Sequence, residues 1–351
     1  MADTRKTVSP QERSADENDL PEHLSGLFSA EKPKRLGMLS NPLSGGNKKG
    51  LEPVDAALTD QSHILHHVIR NHSDAAVALA EFAQREVNVV AVNGGDGTIQ
   101  AVLTALFHFK PFTQLPLLAI LRAGTDGAIA RDVGIRGSRD QGLRKLLNWA
   151  LSSKAQAVIV NRSIMRVETS FTDQPRYGMI FGAAGIYQGI EFCHRNIYTM
   201  GLRGEIAPSL TMARFLLGII RGRSDYIAPV ALDISLDKKR LPRQDYLMVL
   251  LCTLERLYLG LHPYWGEEIG RLYFTAVRSR PKQFLRALPS LARGKRSRYG
   301  TPQNGYFSHN VDEVRLKLNS GFALDGELYT LGSQTEEVVV NYGGQASFLI
   351  L

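Results

Sequence analysis

Cysteine is scarce in this chain of 351 residues, which holds only Cys193 and Cys252. Two cysteines so far apart match no metal-binding or redox spacing, and such usage is typical of a reducing cytosol. No uncharged apolar run reaches about 18 residues, so the sequence predicts no transmembrane helix. The start of the chain lacks the apolar segment of a secretory signal, and we therefore expect a cytoplasmic protein.

Acidic residues are missing between Glu268 and Asp312, although the whole chain carries 34 of them and a net charge of +8. The basic residues in this interval are Arg271, Arg278, Arg280, Lys282, Arg286, Arg293, Lys295, Arg296 and Arg298. A nucleic-acid partner would require interleaved aromatic residues or a known module, and the interval has neither. The interval includes an amphipathic helix predicted over 281–292, which Pro289 is expected to bend or end. This helix either faces an anionic membrane surface at the inner face of the membrane or packs on its own sheet.

The chain is long enough for two domains, each with its own core. Residues 1–34 are polar and lack apolar periodicity, which predicts a disordered tail. Alternating strands and helices follow, and from about Ala157 onward short strands at close spacing indicate a β-rich second domain. One helix predicted over 208–221 interrupts that pattern.

The most informative stretch is an apolar strand over 87–92 followed by the glycine-rich turn 94–98 and a helix that Thr98 is placed to begin. Glycines allow close backbone approach to a ligand, and the free N–H groups of a helix start favour phosphate. Asp96 lies inside this turn, where phosphate would repel its carboxylate unless a divalent cation lay between them. The turn therefore predicts a nucleotide site with Mg²⁺ at Asp96.

Three further segments also contain glycine next to polar or acidic residues. Residues 41–50 leave a first strand through a proline and glycines, and residues 124–131 repeat the order of strand, Gly-Thr turn and helix. Near the end of the chain, Asp325 and Glu327 flank a glycine. Taken alone, that last segment is typical of a hairpin turn. Histidines at 63, 66, 67 and 72 do not predict a metal site, because neighbouring strand residues face opposite sides.

Together, segments 41–46, 94–98, 124–131 and 325–327 occur in the order seen in the diacylglycerol kinase catalytic family, which includes bacterial lipid kinases and sphingosine kinases. NAD kinases and phosphofructokinases share a similar glycine loop, so that loop alone indicates only the superfamily. The resemblance implies an α/β plus β fold, with a three-layer α/β nucleotide-binding domain and a C-terminal antiparallel β-sandwich. The expected domains are 35–156, rejoined by 333–351, and the lipid-substrate domain 157–332.

By this resemblance the protein is an ATP- and Mg²⁺-dependent kinase that phosphorylates a lipid hydroxyl, either diacylglycerol or a sphingoid-like alcohol. Asp325 is the candidate general base, Glu327 its active-site partner, and Asp96 the metal-linked carboxylate. The residues expected to bind the nucleotide are Asn41, Ser44, Gly45, Gly46, Gly94, Gly95, Gly97, Thr98, Gly124 and Thr125, with Lys48 or Lys49 nearby.

Two departures from the family pattern leave alternatives open. Gly127 and Ala128 stand where the family has Asn and Asp, which is compatible with a catalytically silent lipid- or nucleotide-binding regulator. An NAD kinase is a further alternative, although the motifs match the lipid branch better. Some bacterial relatives hold a structural Mg²⁺ with two aspartates where this chain has Glu267 and Glu268, and that metal stays unassigned. A homodimer also remains open.

Overall fold

The computed structural model describes residues 12–15, 33–124, 127–152, 157–170, 172–192, 228–237, 239–332 and 334–351. The helix predicted over 208–221 and most of the tail predicted over 1–34 lie outside these ranges. In the described part of the chain, no helix has the length and apolar character needed to cross a bilayer.

In the first half of the chain, strands alternate with helices. The strands are β1 (Glu12–Ala15), β2 (Leu36–Ser40), β3 (Leu65–Val68), β4 (Val89–Gly94) and β5 (Leu117–Arg122). The helices are α1 (Glu52–Leu58), α2 (His72–Gln84), α3 (Asp96–Thr104), α4 (Ala128–Val133) and α5 (Arg139–Leu151). The order β3-β2-β4-β5 forms a parallel sheet, and a π-helical turn, Ala105–Phe109, prolongs α3.

Burial on both faces explains the continuous apolar run of β4. Val90 and Val92 pack with α2 and α3, whereas Val89 and Ala91 pack with α1 and α5 on the other face. Side chains alternate between the two faces of a strand. A strand covered by helices on both faces therefore has apolar residues at successive positions. This packing gives three layers, with the sheet in the middle.

The second half of the chain is mainly antiparallel. Its strands are β6 (Ala157–Thr169), β7 (Thr172–Gly178), β8 (Ile180–Ala184), β9 (Val230–Leu236), β10 (Lys239–Arg240), β11 (Gln244–Cys252), β12 (Leu272–Arg278), β13 (Tyr306–Val311), β14 (Glu313–Leu318), β15 (Phe322–Leu324), β16 (Glu327–Tyr329) and β17 (Glu336–Ile350). Two helices, α6 (Gly185–Phe192) and α7 (Phe284–Arg293), accompany them.

Two sheets in this half enclose an apolar core. One sheet has the order β9-β14-β17-β6-β7, and the other has the order β13-β12-β11-β8-β15-β16. Ile234 and Val340 from the first sheet share that core with Phe181 and Phe274 from the second. The predicted fold class, an α/β layer structure plus an antiparallel β-sandwich, is confirmed.

The longest strands differ from their predicted bounds. The sequence predicts separate strands over 155–160 and 163–169 and a last strand over 337–342, whereas β6 and β17 run on and pair with each other from Val338 to Ile350. A register shift at Tyr342 and Gly344 lets the long pair bend. Because the two strands satisfy each other's backbone groups along their whole length, local turn signals do not interrupt them. Phe348 of β17 also pairs with Leu118 of β5.

Four local predictions are corrected. Within the tail predicted to be disordered, β1 pairs antiparallel with the start of β6, because a strand edge offers backbone partners without any apolar pattern. The helix α3 begins at Asp96 rather than Thr98, and Asn71 rather than Ser73 or Asp74 caps α2. Helix α7 does not end at Pro289 but continues through it to Arg293, at the loss of the backbone hydrogen bond that a proline cannot donate.

Hydrogen bonds hold segment 265–270 against β13. This is the segment for which the sequence analysis assigns no structural Mg²⁺. The Glu268 carboxylate lies 2.6 Å from Nδ1 of His309 and accepts the Asn310 N–H at 3.1 Å. The Asn310 side-chain amide donates to the carbonyls of Gly266 and Glu268. Burial alone would raise the pKa of Glu268, but these hydrogen bonds outweigh it and lower the pKa to about 2.

We expect Glu268→Gln to lower the stability of the protein by roughly 0.2 to 1 kcal/mol near neutral pH, the range of an exposed ion pair. Because folding lowers the pKa of Glu268, its contribution is present above the unfolded value and is lost as the pH falls toward about 2. Thermal unfolding between about pH 7 and about pH 3 measures the difference between wild type and variant.

The matched control is Glu267→Gln, which removes the neighbouring exposed carboxylate paired with Arg296. A difference between wild type and Glu268→Gln that does not shrink at low pH would contradict this role of Glu268.

Candidate active site

The loops that follow β2, β4 and β5 meet at one edge of the parallel sheet, as the carboxyl ends of parallel strands do. Asn41 donates from its backbone N–H to the carbonyl of Asn93 at 3.0 Å and from its side-chain amide to the Thr98 hydroxyl at 2.9 Å. The Ser44 hydroxyl accepts the N–H of Gly95 at 3.1 Å. The first loop and the glycine turn are thus joined through side chains predicted to bind the nucleotide.

Gly45 and Gly46 belong to a 3₁₀ turn whose position is fixed from two sides. The Gly46 N–H donates to the carbonyl of Ala123 at 2.8 Å. From α5, the Arg139 guanidinium donates to the Asn47 side chain at 3.0 Å and to the Gly46 carbonyl at 3.3 Å. The sequence analysis did not identify Arg139, because nothing in the sequence shows that α5 begins beside this loop.

A close approach between backbones explains two of the glycines. A Cβ on Gly124 would lie 3.0 Å from the Cα of Gly95, closer than real Cβ contacts normally come. The two Gly-containing turns therefore lie against each other at Gly95 and Gly124. Thr125, predicted to bind the nucleotide, lies outside the described residues.

Asp96 is the first residue of α3, next to the residues that depart from the family pattern. Its Oδ2 accepts the backbone N–H of Ala128 at 2.9 Å. A Cβ at Gly127 would come within 3.2 Å of Oδ1. The absence of a side chain at Gly127 therefore lets the loop lie close to Asp96, and the backbone of Ala128 hydrogen-bonds to its carboxylate.

Asp325 occupies the tight turn between β15 and β16, with a left-handed φ of 50°. Although it is a carboxylic acid, it is only 3% exposed. Its oxygens accept the backbone N–H of Met179 at 3.0 Å and that of Ile180 at 2.8 Å. These bonds hold the carboxyl group against the start of β8, away from solvent.

Burial raises the pKa of Asp325 well above its usual value, and the nearby charges of Asp96 and Glu327 raise it further. The hydrogen bonds from Met179 and Ile180 act in the opposite direction without cancelling this effect. The three predicted acidic residues are therefore close enough to interact, although Asp96 lies in the α/β layers and the other two lie in the β-sandwich.

A cleft of about 340 Å³ lies at this junction. Its lining includes Asn41, Leu43, Ser44, Ile69, Arg70, Asn71, His72, Gly95, Gly97, Thr98, Ala101 and Glu327. The Glu327 carboxyl group packs so closely on Gly97 that a Cβ there would overlap it. Lys48 and Lys49, expected nearby, are exposed and do not line the cleft.

Arg70 and His72 supply basic groups that the sequence analysis missed. They follow β3, which lies parallel to β2, so the end of β3 reaches the same edge as the predicted loops. This parallel pairing is the signal that could have identified them. Partial burial lowers the pKa of His72, as does the nearby Arg176, while Glu327 acts in the opposite direction.

Among the described residues, no group of three or more His, Cys, Asp or Glu side chains is arranged to hold a metal ion. His66 lies 2.9 Å from the Ser40 hydroxyl, and His67 forms an ion pair with Glu81 at 3.1 Å. Mg²⁺ commonly binds through one or two carboxylates plus substrate phosphates, so Asp96 fits such a site only together with a nucleotide.

Residues 35–158 match the sequence model of the diacylglycerol kinase catalytic domain. A protein of Enterobacter sp. (strain 638), named as a probable lipid kinase and YegS-like, is 35% identical over 122 residues, which are 34% of this chain and 39% of that protein. A diacylglycerol kinase of Bacillus subtilis (strain 168) is 33% identical over 105 residues, which are 29% of this chain and 34% of that protein. The predicted resemblance to the family is confirmed.

A crystal structure of a diacylglycerol kinase from Bacillus anthracis str. Sterne has a TM-score of 0.53 at 15% identity, over 90% of this chain and 97% of that chain. A likeness at such low identity shows the fold alone. The chain spans less than half the length of the curated relatives it matches.

We expect Asp325→Asn to stabilise the protein, and the gain to grow as the pH rises. Because folding raises the pKa of Asp325, the wild-type carboxyl contributes fully below its unfolded pKa, and that contribution is lost as the pH rises toward the native pKa. Thermal unfolding of both proteins between about pH 4 and about pH 8 tests this.

Asp245→Asn, which removes an exposed carboxylate on β11, is the control and should show no such trend. If the difference in stability between Asp325→Asn and wild type stays constant or shrinks as the pH rises, burial does not disfavour the ionised carboxylate of Asp325.

Proposed function

We propose that this protein is an ATP-dependent lipid kinase, which transfers the γ-phosphoryl group to a lipid hydroxyl with the help of Mg²⁺. One observation carries the proposal: the buried carboxyl of Asp325 lies close enough to Asp96, across the junction of the two halves, for their charges to interact. The match of residues 35–158 to the diacylglycerol kinase catalytic domain supports it. The names of the relatives from Enterobacter and Bacillus subtilis support a lipid acceptor.

The nucleotide would bind where the three loops meet. Backbone N–H groups at the start of α3 and in the 3₁₀ turn favour phosphate oxygens. Thr98 and Ser44 bring hydroxyl groups to the same wall of the cleft, where Asn41 fixes their arrangement. Arg70 and His72 also line this cleft and add basic groups to it.

Asp96 is the residue that would hold the cation, because its carboxylate lies at the start of α3, beside the turn expected to bind phosphate, and the Ala128 N–H orients one of its oxygens. Carboxylate and phosphate oxygens are the hard ligands that Mg²⁺ prefers. When bound, Mg²⁺ neutralises phosphate charge. It would also reduce the repulsion among Asp96, Asp325 and Glu327.

Asp325 would accept the proton of the lipid hydroxyl. A general base works best when its pKa is close to the working pH, and burial moves the pKa of Asp325 in that direction. Met179 and Ile180 fix the orientation of the carboxyl group, and Glu327, two residues further on, lines the cleft from which the hydroxyl would approach. Glu327, packed on Gly97, would help to position the reacting groups.

A catalytically silent regulator is the second candidate, favoured by the absence of polar side chains at Gly127 and Ala128. The hydrogen bond from the Ala128 backbone to Asp96 weighs against it, because a peptide N–H supplies part of what a polar side chain would. A regulator of this kind would bind nucleotide or lipid and transfer nothing.

The basic segment around α7 supports an anionic membrane surface as partner. Ala287 and Ser290 are buried against the β-sandwich, whereas Leu285 is 59% exposed. Arg280, Lys282, Arg286 and Arg293 are exposed as well. Each basic residue near an anionic bilayer contributes about 1 kcal/mol to binding. We propose that the protein acts in the cytoplasm, peripherally at the inner membrane face.

Incubation with γ-labelled ATP, Mg²⁺ and extracted membrane lipid tests the proposal. We expect an organic-soluble labelled product, reduced about 10²- to 10⁴-fold in Asp325→Asn because the general base is removed. Asp96→Ala should also lose the product, because it removes the cation ligand. Chromatographic mobility of the product identifies the acceptor lipid.

Asp245→Asn again serves as the control and should retain wild-type transfer. Wild-type protein that binds Mg·ATP without labelling any lipid would favour the regulator, and label on added NAD would indicate an NAD kinase.

A further inference from the structure

Arg176 lies on β7, two residues before Gly178. Residues two apart project from the same face of a strand, and a Cβ on Gly178 would touch the Asp325 carboxyl group. The Arg176 side chain therefore leaves β7 on the side where Asp325 lies. Arg176 is only partly exposed.

An aromatic ring fixes the position of this guanidinium. Its central carbon lies 4.5 Å from the centroid of the Tyr329 ring. The Tyr329 hydroxyl is 2.9 Å from the side-chain nitrogen and 3.1 Å from the side-chain oxygen of Gln100, which is fully buried in α3. Phe322 stacks on Tyr329 at 5.1 Å. A cation held in this way is already ordered before a ligand arrives.

The guanidinium lies near groups that line the cleft. It is close enough to lower the pKa of His72, and His72 and Glu327 both line the cleft. A guanidinium stacked on a ring keeps its N–H donors directed outward, in the plane that suits phosphate oxygens.

We propose that Arg176 donates hydrogen bonds to the phosphoryl group during transfer, with Tyr329 and Gln100 as its positioning residues. The inference rests on the proposed kinase function. The lipid hydroxyl oxygen bonds to the γ-phosphorus while the bond to the β–γ bridging oxygen breaks. The bridging oxygen leaves with the electron pair as ADP, and the hydroxyl proton passes to Asp325. Arg176 stays protonated and stabilises charge on the non-bridging oxygens.

Kinetics of Arg176→Met test the catalytic part. We expect kcat to fall about 10²- to 10³-fold, as for loss of a transition-state donor. Arg176→Lys should recover only part of the rate, because an ammonium lacks the planar pair of donors. Arg176→Ala should be partly rescued by added guanidinium. A kcat within about threefold of wild type in folded Arg176→Met would overturn the proposal.

Calorimetric titration without turnover tests the same contact independently of activity. Arg176→Met should bind a non-hydrolysable ATP analogue about tenfold more weakly than wild type while its affinity for ADP is unchanged. Equal losses for both nucleotides, or none, would contradict a contact to the γ-phosphate. A raised KM for lipid alone would assign Arg176 to binding of the acceptor lipid and would also overturn the proposal.

The positioning residues need a separate readout. Tyr329→Phe keeps the ring and loses the hydrogen bonds to Gln100, so kcat should fall less than in Tyr329→Leu, which loses the ring. Equal kcat values for these two variants would contradict a positioning role. Arg315→Met, which removes an exposed arginine paired with Glu313 on β14, is the matched control.

The two proposals can fail separately. Absence of lipid labelling by wild-type protein would count against the kinase function. In that case the difference between ATP-analogue and ADP binding still decides whether Arg176 contacts the terminal phosphate.

Discussion

Repulsion among three carboxylates is the constraint on which this site depends. Asp325 is buried, and the charges of Asp96 and Glu327 make its ionised form still less favourable. Acidic side chains are almost never fully buried without partners. Here two backbone N–H groups, from Met179 and Ile180, stabilise the carboxylate without removing the repulsion. Stability alone does not explain why three carboxylates lie together. Binding of a cation by Asp96 and acceptance of a proton by Asp325 would give this arrangement a function.

The two halves of the fold join at this group of carboxylates. Asp96 begins a helix of the α/β layers, whereas Asp325 lies in a turn of the β-sandwich. Tyr329 and Gln100 connect the same two halves by hydrogen bonds at 2.9 and 3.1 Å. Nucleotide and acceptor would therefore meet at a junction fixed by direct contacts, so the reacting groups need little rearrangement.

The residue pattern predicts alternating strands and helices, a β-rich second half and the glycine turn 94–98 after an apolar strand. The assignment of segment 325–327 to the site depends on the family resemblance. The residue pattern does not predict the full length of β6 and β17, which depends on mutual pairing. Arg139 and Arg176 were missed for a similar reason. Each reaches the site from an element distant in sequence, and no local pattern encodes that proximity. The hydrogen bond between Ala128 and Asp96 involves a backbone group, so residue type gives no sign of it.

The proposed kinase depends on a divalent cation that joins Asp96 to the phosphates of the nucleotide. Calorimetric titration of a non-hydrolysable ATP analogue, with Mg²⁺ and with EDTA, tests this dependence most directly. We expect Mg²⁺ to tighten binding at least about tenfold in wild-type protein and to have little effect in Asp96→Asn. Equal dependence on Mg²⁺ in the two proteins would contradict it.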